Sequence, residues 1–199
     1  MIKFTLMMFI SYFIGSIPTG YLIVKLLKGI DIRTVGSGST GATNVKRVLG
    51  KKWFITVMFL DALKGFLSVT LTSIFVVKYS AIGLPQVLSA IMVIIGHSHS
   101  IFLKFTGGKS VASAVGTIFA LCFPIGCIMA LVWTIITYLT KYVSLSSILT
   151  LILSPFLMYL FHQPICYIIY CTISAAFIIY LHRQNIKRLI EGTESKVRE

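Results

Sequence analysis

The sequence predicts an all-α integral membrane protein of about seven transmembrane helices with cytoplasmic glycine-rich loops, one polytopic domain over residues 1–199. Three observations lead there. The chain is 57% hydrophobic and 12% charged, against about 25% charged residues in soluble domains, and its mean hydropathy is +0.94. Its apolar residues recur in runs close to the ~20 residues that a helix needs to cross a bilayer. Its 18 Lys and Arg stand against 5 Asp and Glu, a net charge of +13, and most of these cations fall in alternate loops.

The apolar runs cover about 4–25, 53–77, 84–103, 107–123, 125–141, 143–161 and 164–182. "CFPIGC" around Pro124 and "FHQP" at 161–164 read as short hairpins. If the Pro124 and Pro155 regions are not turns, five spans result; either odd count puts the termini on opposite sides. The first run has no A-x-A cleavage site and reads as a span rather than a signal peptide. With seven spans, one side receives Lys28, Arg33, Lys46, Arg47, Lys51, Lys52, Lys104, Lys109, Lys141 and the tail cations Arg183, Lys187, Arg188, Lys196 and Arg198. The other receives little beyond Lys3 and Lys78. The positive-inside rule makes the basic side cytoplasmic in a bacterial plasma membrane. The charge excess is thus a matter of topology, and no nucleic-acid partner is expected.

Polar, glycine-rich text lies on that same side, in "IDIRTVGSGSTGATNVKRVLGKKW" (30–53), "GHSHSIFLKFTGGKSVASAVG" (96–116), "LHRQNIKRLIEGTESK" (181–196) and the shorter "KYVSLSS" (141–147). The first contains G-x-G-x-x-G, with Asp61 twenty residues beyond its last glycine. A dinucleotide site needs a strand before those glycines and the acid at a strand end. Here a span-length run precedes them, and Asp61 lies inside another. "TGGKSV" ends like a phosphate-binding P-loop, but Leu103 stands where the motif needs its first glycine. No cofactor is expected. Cys122 and Cys127, like Cys166 and Cys171, are spaced by five, a spacing that suits neither a metal nor a redox pair, so neither metal nor disulfide is expected.

Glycines allow backbone N–H groups to converge on an anion, and Lys and Arg add charge. The first block offers Gly36, Ser37, Gly38, Ser39, Gly41, Thr43, Asn44 and Arg47; the second offers Gly107, Gly108, Lys109 and Ser110 at a helix start. Two anion sites follow, or one that takes two phosphate-like groups; tight turns with topology charges are the alternative. Asp61 and Lys64 share a helix face and form either a structural pair or a substrate-side group. His97 and His99 fall beside the second block, His162 near the outer face, and His182 shares a face with Asn185. With no Ser-His-Asp or Cys-His order present, an enzyme here would orient substrates and neutralise charge rather than use a covalent nucleophile.

The stretches "GSGSTGATNVKRVLGKKW", "GHSHSIFLKFTGGKSVA" and "HRQNIKRLIEGTE", in that order and spacing, together with "GSIPTGYLIVKL" and "FLDALKGF", resemble the PlsY family of bacterial acyl-phosphate:glycerol-3-phosphate acyltransferases. The resemblance covers nearly the whole chain. It implies a seven-helix enzyme that moves a fatty acyl group from acyl phosphate to the 1-hydroxyl of glycerol 3-phosphate, giving lysophosphatidic acid and phosphate, as a monomer in the bilayer. By the family's motifs, Ser37, Arg47, Lys109, His182 and Asn185 are the catalytic set. Gly36, Gly38, Gly41, Thr43, Asn44, Gly107, Gly108 and Ser144 or Ser147 bind substrate, with Lys104 and His97 as second choices. Ser39, Ser110, Leu181 and Gln184 depart from the family's usual Asn, Gly, Arg and Glu. A transporter would carry polarity through the depth of several spans, and a CDP-alcohol phosphotransferase would carry clustered metal-binding aspartates; this sequence has neither pattern.

Overall fold

The computed structural model describes residues 2–76 and 83–197, all-helical apart from turns and an isolated bridge between Ser100 and Thr106. The helices are α1 (Ile2–Ser16), α2 (Thr19–Lys28), α3 (Ala42–Leu49), α4 (Lys51–Phe75), α5 (Leu84–Ser98), α6 (Val111–Leu121), α7 (Phe123–Thr140), α8 (Val143–Leu160), α9 (Ile165–Leu181) and α10 (Arg183–Ile190). Apolar helix occupies each of the seven expected stretches. Four segments are long and apolar enough to cross a membrane: Ile2–Lys28, α4, α7 and α8. A fifth is α9 with α10, bent by 63°. The remaining two, α5 and α6, are apolar but shorter. Lys78 and Arg198, and the end of the second expected span, lie outside the described residues.

The differences from the expected boundaries have local causes. The first span breaks at Ile17–Pro18, where proline has no N–H to give a helix, and α2 then runs on to Lys28. A left-handed Gly29 (φ 72°) stops it. The expected span 107–123 is helical only from Val111, because Gly107–Ser110 is drawn into a turn against the end of α5. Likewise 84–103 is helical only to Ser98, and a 3-10 turn follows at Ile101–Leu103. Pro124 does mark a break: α6 stops at Leu121 and α7 begins at Phe123. Pro155, in contrast, sits inside α8, which continues through it.

Lipid tails are as apolar as the side chains they meet, so helix association in a bilayer depends on close contact. This chain supplies it with glycine. A Cβ on Gly116 would lie 1.9 Å from the Ala62 carbonyl oxygen, and one on Gly65 would lie 2.1 Å from that of Ser113, so α4 and α6 touch backbone to backbone. Gly15 against Val93 (2.3 Å) and Gly96 against Tyr12 (2.2 Å) do the same for α1 and α5. Hydroxyls reinforce the seams: Ser11 to Ser89 at 2.6 Å, Ser89 to the Ser68 carbonyl at 2.9 Å, and Thr137 to Ser146 at 2.8 Å. A larger apolar core joins α4–α9, including Ile118, Met129, Leu151 and Ile178. A smaller one, of Val24, Ile32, Val45 and Val57, pins the first glycine-rich loop to α2, α3 and α4.

Gly116→Ala should loosen the α4–α6 contact and destabilise the protein by roughly 1–3 kcal/mol, the usual range for overpacking. Thermal unfolding in detergent checks this; an unchanged midpoint would mean that the two helices are free to separate.

Candidate active site

All four polar blocks meet at one end of the bundle, around a cavity of about 420 Å³. Its mouth is polar and carries Ser37, Arg47, Lys109, Ser144, His182, Asn185, Arg188 and Glu194. Its inner part is apolar, between Phe54, Ile55, Met58 and Phe59 of α4, Val115 and Phe119 of α6, and Ala130 and Trp133 of α7. Ile55 is about half exposed and Phe59 63% exposed, so the apolar part reaches the outer surface of the helix bundle.

The first block is organised by Asn44. Its side-chain oxygen accepts from the Ser37 N–H (3.0 Å), and its amide donates to the carbonyls of Ile32 (3.2 Å), Val35 (3.0 Å) and Ser39 (2.9 Å). Asn44 thus folds the loop around itself. Gly36 (φ 60°) has to be glycine, since a Cβ there would fall 2.2 Å from the Asn44 oxygen. The loop presents Ser37, Ser39, Gly41 and Thr43 to the cavity at the start of α3, with Arg47 one turn further on. Gly36 and Gly38 shape the turn and do not line the cavity.

The second block is seated on His97. The Gly108 N–H donates to the His97 carbonyl (3.1 Å). Cβ atoms on Gly107 and Gly108 would strike the His97 carbonyl oxygen at 2.2 Å and its Nε2 at 2.3 Å. The two glycines therefore act by close packing, and they bring Lys109 to the mouth. Ser110 (φ 61°) then starts α6, its hydroxyl donating to the Ile94 carbonyl at 2.9 Å. Lys104 is exposed on the neighbouring hairpin and lies away from the cavity.

The third block closes the circle. Lys109 Nζ donates to Asn185 Oδ1. Asn185 Nδ2 donates to Glu194 Oε1 at 2.6 Å, and Ser144 Oγ reaches the same oxygen at 2.7 Å. Arg188 Nε meets Glu194 Oε2 at 2.7 Å. The chain tail is also tied down, with the Val197 N–H on the Lys141 carbonyl at 2.8 Å. His182 is buried at the α9–α10 bend, with Nδ1 2.8 Å from the Ile178 carbonyl. A carbonyl can only accept, so Nδ1 carries a hydrogen, and in the neutral imidazole Nε2 is then the nitrogen able to take a proton. Ser147 lines the cavity, donates to the Val143 carbonyl (2.8 Å) and accepts from Trp133 Nε1 (3.2 Å).

Electrostatics follow from this packing. Burial, with Arg188 and Arg47 nearby, pushes the Lys109 ammonium down to about 8, and Glu194 pulls the other way. Burial alone would raise the Glu194 carboxyl, but hydrogen bonds from Asn185, Ser144 and Arg188 outweigh it and hold the group below its ordinary range. The mouth thus offers Arg47 and Lys109, with Arg188 already paired to Glu194.

Glu194 and Arg188 were not singled out as site residues from sequence. Their hint was there: Glu194 is one of only 5 acids in the chain and follows a glycine turn at Gly192. What sequence could not give is that the tail folds back over α8.

The fold and site define a polytopic membrane protein whose cavity joins a cationic mouth to an apolar slot. The sequence profile described as glycerol-3-phosphate acyltransferase matches residues 5–192. Similar proteins include the glycerol-3-phosphate acyltransferase of Trichormus variabilis, 43% identical over 94% of this chain and 89% of that protein. Glycerol-3-phosphate acyltransferase 2 of Thermotoga maritima is 44% identical over 94% of this chain and 93% of that one. Crystal structures of PlsY, an integral membrane glycerol 3-phosphate acyltransferase, superpose with a TM-score of 0.92 for its glycerol 3-phosphate form (36% identity, 98% of this chain and 96% of that one) and 0.89 for its lysophosphatidic acid form (35% identity, 98% and 95%). The chain belongs to the PlsY family of glycerol-3-phosphate acyltransferases.

Glu194→Gln removes the charge that gathers Ser144, Asn185 and Arg188. With charged hydrogen bonds contributing about 1.5–3 kcal/mol each, kcat/KM should fall by roughly ten- to a hundredfold. Steady-state kinetics beside a melting curve check it; full activity would mean that the tail is not part of the working site.

Proposed function

We propose that this acyltransferase takes its acyl group from acyl phosphate and delivers it to the 1-hydroxyl of glycerol 3-phosphate, releasing lysophosphatidic acid and phosphate. The observation that carries the reading is the cavity itself: a cationic mouth continuous with an apolar slot lined partly by exposed apolar side chains of a membrane-length helix. A lipid-borne donor enters from the side, a soluble acceptor from the mouth, and both carry phosphate. Relatives solved with glycerol 3-phosphate and with lysophosphatidic acid are consistent with that acceptor and product. The basic loops around the mouth favour a site on the cytoplasmic face of a bacterial plasma membrane. The reading takes the protein as a monomer.

In this mechanism Lys109 and Arg47 bind the phosphate groups and offset their charge. Ser37 and the N–H groups at the start of α3 orient the reacting carbonyl. The glycerol hydroxyl oxygen attacks the carbonyl carbon, the bond from that carbon to the phosphate oxygen breaks, and phosphate leaves with the electron pair. The hydroxyl proton passes to His182 Nε2 or to a phosphate oxygen. Acyl phosphate is a mixed anhydride and already activated, so positioning and charge compensation dominate the catalysis. Asn185 holds the Lys109 ammonium, and Ser144 and Ser147 complete the wall.

The test is an assay of purified protein in lipid with palmitoyl phosphate and glycerol 3-phosphate, and no acyl-CoA or carrier protein. Phosphate and lysophosphatidic acid should appear together in equal amounts. Neither product would defeat the donor assignment. Lys109→Ala should abolish turnover, a loss on the order of 10²- to 10³-fold or more, and full activity in that variant would remove Lys109 from the mechanism.

A pH dependence follows. The Lys109 cation is present below about 8 and is lost as pH rises through that value. Glycerol 3-phosphate is a dianion on both sides of it, so KM for glycerol 3-phosphate should rise between pH 7.5 and 9.5. A flat KM across that interval would show that Lys109 does not bind the acceptor.

A further inference from the structure

We infer that Asp61, Lys64 and His97 are positioning residues that hold the Gly107–Lys109 turn in the shape that receives phosphate. The inference rests on Lys109 being a phosphate ligand, as proposed above.

Charged side chains are rare among membrane helices and are usually tied to function. Here two lie buried on α4, one turn apart, with Lys64 Nζ 2.7 Å from Asp61 Oδ1. Lys64 also donates to the Ile17 carbonyl (2.7 Å), at the Pro18 break between α1 and α2. On the other side, Asp61 Oδ1 lies 3.8 Å from His97 Nδ1, and that nitrogen is 3.2 Å from Ser113 Oγ on α6. The opposite edge of the imidazole lies against Gly108, and the His97 carbonyl accepts the Gly108 N–H. A chain of contacts thus runs from the α1–α2 break through Lys64 and Asp61 to His97, whose ring is hydrogen-bonded by Ser113 and lies 3.8 Å from Asp61 without a hydrogen bond between them, and on to Gly108, the residue before Lys109.

A pair retained only for packing would have no need to face the site, yet Asp61 and His97 both line the cavity. The turn they support is tied at its ends, by the Gly108 N–H on the His97 carbonyl and the Ser110 hydroxyl on the Ile94 carbonyl, and between them the His97 ring is the surface it rests on. Its glycines bring no side chains, and Lys109 itself is bonded to Asn185 on the far wall. Fixing the imidazole in rotation fixes the surface on which Gly107 and Gly108 lie, and through them the height of Lys109 in the mouth.

A purely structural role and a positioning role separate in kinetics. Asp61→Leu/Lys64→Met replaces the ion pair with apolar groups of similar volume, an exchange that proteins often tolerate. Its thermal midpoint in detergent should stay near that of the unmodified protein. KM for glycerol 3-phosphate should rise by between about tenfold and a hundredfold, with kcat changed by less than about threefold. His97→Gln, which keeps the ion pair, should give a similar rise, and combining all three substitutions should add little to it, because coupled residues are not additive. The midpoint shift that glycerol 3-phosphate produces on binding should shrink in the same variants. Unchanged KM and unchanged shift in His97→Gln would overturn the inference; so would a melting defect in every variant without a KM effect. If the double variant does not fold, His97→Gln and Ser113→Ala decide alone. Failure of the ligand assignment reads differently: Lys109→Ala would then keep the full glycerol 3-phosphate shift.

Discussion

Between Gly65 and Gly116 the backbones of α4 and α6 meet without intervening side chains, and the geometry of the site hangs on that contact. Helix α4 follows the first glycine-rich loop after only the short α3, and α6 begins directly after the second. Bringing the two helices to touching distance therefore sets the loops beside each other. A side chain of any size at either glycine would separate them by the width of that side chain. The second glycine pair, on α1 and α5, repeats the device and holds the floor under the second loop. In lipid, where burial of apolar surface gives no net drive between helices, such contact takes the place that a hydrophobic core has in water.

Much of the chemistry is arranged one layer behind the reacting groups. Asn44 spends its whole amide on shaping the first loop. His97 carries the second loop on its carbonyl and ring. Glu194 gathers Ser144, Asn185 and Arg188, and Asn185 in turn meets Lys109. Among the described residues, Arg47 and Lys109 are the lysine and arginine side chains lining the cavity that are not paired with a carboxylate. This suits the proposed reaction, in which the protein would mainly place two phosphates and one carbonyl and keep them still.

The seven apolar stretches, the sided distribution of Lys and Arg, and the four polar blocks were all legible in the sequence, because each depends on local composition. The break at Pro124 was legible for the same reason, whereas residues 4–25 read as one span, with no sign of the break at Pro18. The roles of the glycines were only half legible. Gly36, Gly38, Gly107 and Gly108 read as backbone anion cradles, whereas in the fold they serve close packing and turn geometry. Whether a glycine faces a ligand or a neighbouring carbonyl depends on which helix end lies opposite, and no local pattern records that. Lys104 read as a second choice for the site for a similar reason: it is near Lys109 in sequence, but the hairpin between Ser100 and Thr106 turns it away.

The sequence by itself determined that this is a polytopic helical membrane protein whose polar text is confined to a few glycine-rich and basic blocks, since hydropathy and charge act residue by residue against the bilayer. Its motifs also carried the family. The tertiary structure decided that the loops line one cavity, that an apolar slot between helices lies behind them, and that the tail acid Glu194 lines that cavity too. It also decided that Asp61 faces His97. Those outcomes depend on distances between residues dozens of positions apart, fixed by helix packing and the path of the tail, and packing is a property of the whole set of helices together.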